Sequence, residues 1–161
     1  MSRNRYQPHI IILPEDRANE EIANGFIQYP NINEHAIQIE RPAGGWGKVI
    51  EKFTEAHVPE MRLFTKRMIL LLIDFDRSED RFSYVESQIP QDLKERVFIL
   101  GVQSNPESLR RDTQKNFEGI GETLAKDCSD NTNQLWGHAL LKHNKTELER
   151  MILSVKPFLF N

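Results

Sequence analysis

The feature that most constrains this chain is an unbroken apolar run, Met68 to Ile73, that passes straight into Asp74-Phe75-Asp76. A strand with one wet face alternates apolar and polar residues; a continuous run fits a strand covered on both faces, the setting of parallel sheets in α/β proteins. The run is also far short of the roughly 20 residues that span a bilayer, so no membrane role is indicated. Val97 to Val102 repeats the pattern, and His9 to Leu13 and Ala36 to Ile39 are shorter β-branched stretches. Strands are therefore expected at residues 9–13, 36–39, 67–73 and 97–102.

The gaps between these strands each hold a helical pattern. Residues 17–28 place Ala18, Ile22, Phe26 and Ile27 on one face; Trp46, Val49, Ile50 and Phe53 follow the glycines near Gly44; Phe82, Val85 and Ile89 precede Pro90. Alternation of strand and helix points to right-handed crossovers and an α/β fold: a mainly parallel four-stranded, Rossmann-like sheet with helices on both faces. The last third reads as a helical extension. Phe117, Ile120, Leu124, Ala125 and Cys128 form an apolar stripe, Ser129 to Asn133 a polar loop, and Leu135 to Leu141 a short helix. Asn144, with Glu147 three residues on, resembles a capping box for a final helix packing Leu148, Met151, Ile152 and Val155 inward. With no repeat or linker, one domain over 1–161 is expected, its core at about 9–105 and its C-terminal helices at about 107–157.

At 39% hydrophobic and 28% charged, 161 residues can bury a core and lie outside the disordered classes. A net charge of −3 argues against a broad basic surface gripping nucleic acid, though not against a local basic groove. A lone cysteine, Cys128, cannot form an internal disulfide, and the run Ile10 to Leu13 behind Arg3 and Arg5 is too short for a signal peptide. A cytoplasmic protein is expected. Cys128 reads as a small apolar residue on a helix face. His9, His35, His57, His138 and His143 are too scattered for a zinc site.

Chemistry is expected where strands end. Residues two apart in an extended segment point to one side, so Asp74 and Asp76 project together from the C-terminal edge of the sheet, where open α/β sheets bind ligands. The first strand also ends in acids, Glu15-Asp16. If strands one and three are neighbours, Glu15 faces the pair, and a divalent cation relieves the repulsion of the three carboxylates. Acids after strands also cap helices, and Asp16 or Asp76 fits that plainer role.

Glu15 closing the first strand, then Asp74-Phe75-Asp76 closing a later apolar strand about sixty residues on, resembles the TOPRIM domain of topoisomerases, primases and OLD-family nucleases. The resemblance covers roughly residues 9–105. It implies Mg²⁺ (or Mn²⁺) held by Glu15, Asp74 and Asp76, with Glu15 also a general acid or base. The family's usual glycine after the glutamate is Asp16 here. OLD-type nucleases tend to carry a second acid one helical turn after the glutamate; that position is Asn19, with Glu20 next to it as the candidate. By the same resemblance Ser104 and Glu107 are further metal candidates, though their spacing departs from the family's tighter pattern. The implied activity is cleavage of phosphodiester bonds in DNA or RNA, alone or with a separate ATPase chain.

Two cations are candidates to assist at the phosphate. Lys48 follows Gly44-Gly45-Trp46-Gly47, either a phosphate cradle or a structural loop, and not a Walker A sequence. Lys142 belongs to the patch Lys142-His143-Asn144-Lys145, useful beside developing negative charge or simply a solvated surface. Arg110 and Arg111 read as phosphate contacts or as decoration of an exposed loop. Two other readings compete: a non-catalytic binding or regulatory module keeping the fold, and a nucleotide-sugar transferase whose DxD holds metal and diphosphate, in which Glu15 has no role.

Overall fold

A computed structural model describes residues 4–161; Arg3 lies outside the described residues. Four strands form one all-parallel sheet: β1 (His9–Pro14), β2 (Ile37–Ile39), β3 (Arg67–Leu72) and β4 (Val97–Leu100), in the spatial order β2-β1-β3-β4. Strands one and three are thus neighbours, in register from His9↔Arg67 to Pro14↔Leu72. The expected strands are all present. β3 and β4 are regular over a shorter span than expected, but their pairing continues beyond it, with the Ile73 and Phe75 amides donating to the Leu100 and Val102 carbonyls.

The helices are α1 (Arg17–Ile27), α2 (Trp46–Lys52), α3 (Val58–Leu63), α4 (Arg81–Ser87), α5 (Pro106–Thr113), α6 (Phe117–Asp130) and α7 (Lys145–Leu159). Alternate strand residues face opposite ways, which gives each face of the sheet its own apolar layer. Ile10, Ile12, Leu70, Phe98 and Leu100 pack beneath α1, α6 and α7, while Ile11, Leu13, Ile69, Leu71 and Ile99 pack beneath α2, α3 and α4. α1 and α6 meet backbone to backbone: a Cβ on Gly25 would fall 1.9 Å from the Glu118 carbonyl oxygen, and one on Gly121 1.8 Å from that of Ile22.

The structure departs from expectation in four places. The second helix continues through a π-helical turn, Phe53–His57, into α3, so one helical run crosses from the glycines to β3. Arg110 and Arg111 lie on α5, not on a loop; both are exposed, and Arg110 stacks 4.6 Å from the Phe117 ring centroid. α6 extends through Asp130, and the segment after it forms turns instead of a helix. The buried Asp127 carboxylate accepts the Leu135 and Trp136 amides at 2.7 and 3.2 Å, which diverts them from helical bonding.

The fourth departure is at the capping box. Asn144 precedes α7, but its side chain makes no cap. It accepts the Gly101 amide at 3.1 Å and donates to the Gly101 carbonyl at 2.9 Å, while Glu147 accepts the Ile99 amide at 3.0 Å and Arg150 donates to the Val97 carbonyl. β4 is an edge strand with unpaired polar groups that need partners. One helix face supplies them.

Candidate metal centre

Glu15 and Asp74 come together because β1 and β3 are parallel neighbours that end in register. The Glu15 amide donates to the Leu72 carbonyl at 2.9 Å, extending the ladder, and the Asp74 amide returns a bond to Glu15 Oε1 at 2.8 Å. Asp16 is the third member. It starts α1 with extended backbone, its carboxylate accepting the Asn19 amide at 3.0 Å, an N-cap as weighed from the sequence. Ligand oxygens of Glu15, Asp16 and Asp74 all lie within 4.8 Å of one another.

Asn19, fully buried on α1, ties the acids together: its Nδ2 donates to Asp16 Oδ1 and to Asp74 Oδ1, both at 2.9 Å. Sequence spacing marked this position only as one where an acid was missing. Its bridging role depends on how α1 lies across β3.

Asp74 is 5% exposed, and burial pushes its carboxyl up to about 7 from an ordinary value of 3.8; the Asn19 bond opposes the shift and the charge of Glu15 adds to it. Burial also raises Glu15, against the pull of the Asp74 amide. Crowded, half-desolvated carboxylates of this kind gain from a bound cation. Opposite oxygens of a Mg²⁺ octahedron stand about 4.2 Å apart, twice the 2.1 Å bond, and those of a Ca²⁺ shell about 5 Å. Oxygens within 4.8 Å of one another are close enough to converge on one such cation.

Asp76 stands outside this group of three. The extended geometry that would align it with Asp74 ends there, because Asp76 and Arg77 both turn left-handed (φ 46° and 57°). Asp76 is exposed and pairs with Arg81 Nη1 at 2.7 Å; the same nitrogen donates to the Asp74 carbonyl at 2.7 Å. Arg81, which no sequence pattern singled out, thereby reaches the edge of the centre from α4, and its guanidinium lies 4.5 Å from the Trp46 ring centroid.

The remaining candidates are dispersed. Glu20 is half-buried on α1 and Glu107 is exposed in the first turn of α5; neither joins the three acids. Ser104 is buried, its hydroxyl without a hydrogen-bond partner and its carbonyl accepting the Asp76 amide at 3.1 Å. Lys48 is exposed and folds back toward Gly44, whose amide, with that of Gly45, donates to the Glu15 carbonyl. The glycine loop thus contacts the centre through backbone. Lys142 lines a separate groove with Asn133, Trp136 and Lys145.

A cavity of about 620 Å³ runs along the β4 edge between α4 and α7, lined by Phe75, Phe82, Glu147 and Arg150 among others, and holds none of the three acids. No helix of the described residues is long and apolar enough to cross a membrane. Comparison with protein-family models, with curated proteins and with solved structures gives no match to this chain.

Proposed function

We propose that this chain is a divalent-cation-dependent enzyme acting on phosphodiester bonds, a TOPRIM-like nuclease working alone or with a partner ATPase. The observation that carries the reading is the meeting of Glu15 and Asp74 from adjacent parallel strand ends, two of the three acids the TOPRIM resemblance implies, with Asp16 and not Asp76 as the third. When bound, Mg²⁺ or Mn²⁺ would supply charge neutralisation at the phosphate and a more acidic water. Asp74 and Asp16 would hold it, while Glu15, raised by burial, is suited to hold it or to take a proton from water. Asn19 places an amide donor where a second cation would require an anionic oxygen, which favours one cation over two. Arg81, bonded to the Asp74 carbonyl, and Lys48, beside the glycines that bond the Glu15 carbonyl, are the candidates to meet a phosphate, and Lys142 lines a separate groove.

A second reading, a non-catalytic module, is favoured by one observation: Asp74 and Asp16 are already bonded through Asn19, and Asp76 is neutralised by Arg81. Calorimetric titration with Mg²⁺ and Mn²⁺, beside cleavage of single- and double-stranded DNA and RNA, separates the two. Cation binding and metal-dependent cleavage, both lost in Asp74→Asn, support the nuclease. Cation binding without cleavage supports the module, and no cation binding removes the metal centre.

A further inference from the structure

We propose that Arg81, Trp46 and Tyr84 form a stacking platform for a base of single-stranded nucleic acid, placed against the rim of the acidic centre. The proposal rests on the nuclease reading for what happens at the acids, but the platform itself is tested by binding alone.

The elements that build it are local. Arg81 and Tyr84 sit three apart on α4, so they share one face of the helix, while Phe82 and Val85 turn toward the core. Trp46 opens α2, directly after the glycines whose amides bond the Glu15 carbonyl. Across the gap, the Tyr84 ring meets Trp46 edge to face, centroids 5.8 Å apart at 87°, and Arg81 lies over Trp46 from the side of the acids.

Three facts separate this cluster from ordinary core packing. Tyr84 is 52% exposed, so about half of a large aromatic surface stays in water. Its ring is already held by Trp46, and Arg81 is held by the Asp74 carbonyl and the Asp76 carboxylate. Stacking a base there would therefore cost little side-chain ordering. The row also has a direction, from the Asp74 strand end through Arg81 and Trp46 to Tyr84 at the solvent side. A base seated on it places its own backbone near the acidic rim, where Arg81 supplies the positive charge.

The occupant is single-stranded because duplex bases present only their edges, whereas an aromatic platform needs an open π-face. Stacking of this kind tolerates any base, so the site selects strandedness and not sequence. The acids beside it repel phosphate, so binding is expected to strengthen when a divalent cation is present.

The test is fluorescence anisotropy with labelled oligo-dT and oligo-rU of about 12 nucleotides, within the span such surfaces cover, and with matched duplexes, in Mg²⁺ or in Ca²⁺ should cleavage intervene. Wild type should bind the single strands more tightly than the duplexes. Tyr84→Ala should weaken single-strand binding about 10-fold, the scale of one base–aromatic stack, while Tyr84→Phe stays within about twofold of wild type. Tyr84 is half exposed, so Tyr84→Phe should keep the wild-type melting temperature and Tyr84→Ala should lower it by no more than a few degrees, the cost of one edge-to-face pair. In a Trp136→Phe background Trp46 is the only tryptophan, and its emission should be quenched by the single strand.

Equal affinity of Tyr84→Ala and wild type, equal affinity for single strand and duplex, or no binding of any oligonucleotide overturns the platform. The two readings fail separately. Tyr84-dependent binding in a protein that takes up no Mg²⁺ leaves the platform standing without the metal centre. Mg²⁺ uptake lost in Asp74→Asn, with oligonucleotide binding indifferent to Tyr84, leaves the metal centre without the platform.

Discussion

Replacing Asp74 with asparagine should make the metal-free protein more stable near pH 8, not less. The carboxyl rises from 3.8 to about 7 on folding, chiefly through burial. That is roughly three powers of ten in proton affinity, a ceiling of about 4 kcal/mol. Solvent reaching the sheet edge reduces the expected cost to about 2 kcal/mol. The sign follows from which state binds the proton: between 3.8 and 7 the folded chain holds a proton that the unfolded chain has lost, so this group's contribution falls as pH rises through that window and is at its worst above it. Asparagine is nearly isosteric, can still accept from Asn19 Nδ2, and carries no charge. Near pH 8 its melting temperature should exceed wild type by about 4–8 °C, taking about 2–4 °C per kcal/mol for a chain of this size; the gap should narrow as pH falls and nearly close only near pH 4, where the unfolded carboxyl also takes up its proton. Added Mg²⁺ should reverse the order, since a ligand at 100 times its Kd stabilises wild type by about 2.7 kcal/mol and asparagine forfeits most of that. Because a proton competes for Asp74, the Mg²⁺ effect on wild type should grow from pH 6 to pH 8. Scanning calorimetry at both pH values, with chelator and with Mg²⁺, checks all of this. An Asp74→Asn protein less stable than wild type in chelator near pH 8 would contradict a burial penalty on the Asp74 charge, and one that responds equally to Mg²⁺ would remove Asp74 from the cation site.

Three further outcomes follow from the packing. Asn144→Ala should cost about 2 kcal/mol or more in urea unfolding, because both polar groups of Gly101 lose their buried partner; Asn144→Ser, a good helix cap, should recover little, and full recovery would mean that capping is what matters. Gly121→Ala should cost about 3 kcal/mol, since its Cβ would fall 1.8 Å from the Ile22 carbonyl oxygen and force α1 and α6 apart; a neutral result would show that the two helices are not in backbone contact. Cys128, buried and with its thiol pushed up to about 11, should resist a thiol reagent at pH 8 until the protein is unfolded; rapid labelling of the native protein would contradict its place on the buried face of α6.

The apolar runs and their spacing determined the class of fold by themselves. Met68 to Ile73 and Val97 to Val102 have no wet face to offer, so they require a sheet covered on both sides, and the 3.6-residue patterns between them supply the covers. The acids at the ends of β1 and β3 were legible for the same reason, since a strand's end in sequence is its end in space. What tertiary structure decided is everything that depends on two elements lying side by side. Only the strand order makes Glu15 a neighbour of Asp74. The left-handed turn at Asp76 separates it from the group of three and hands it to Arg81. Asn144 and Glu147 carry the residue pattern of a cap, yet serve β4, because an unpaired strand edge offers those side chains partners that only the folded chain brings within reach. Local pattern reports what a residue can bond; the neighbour across the sheet settles what it does bond.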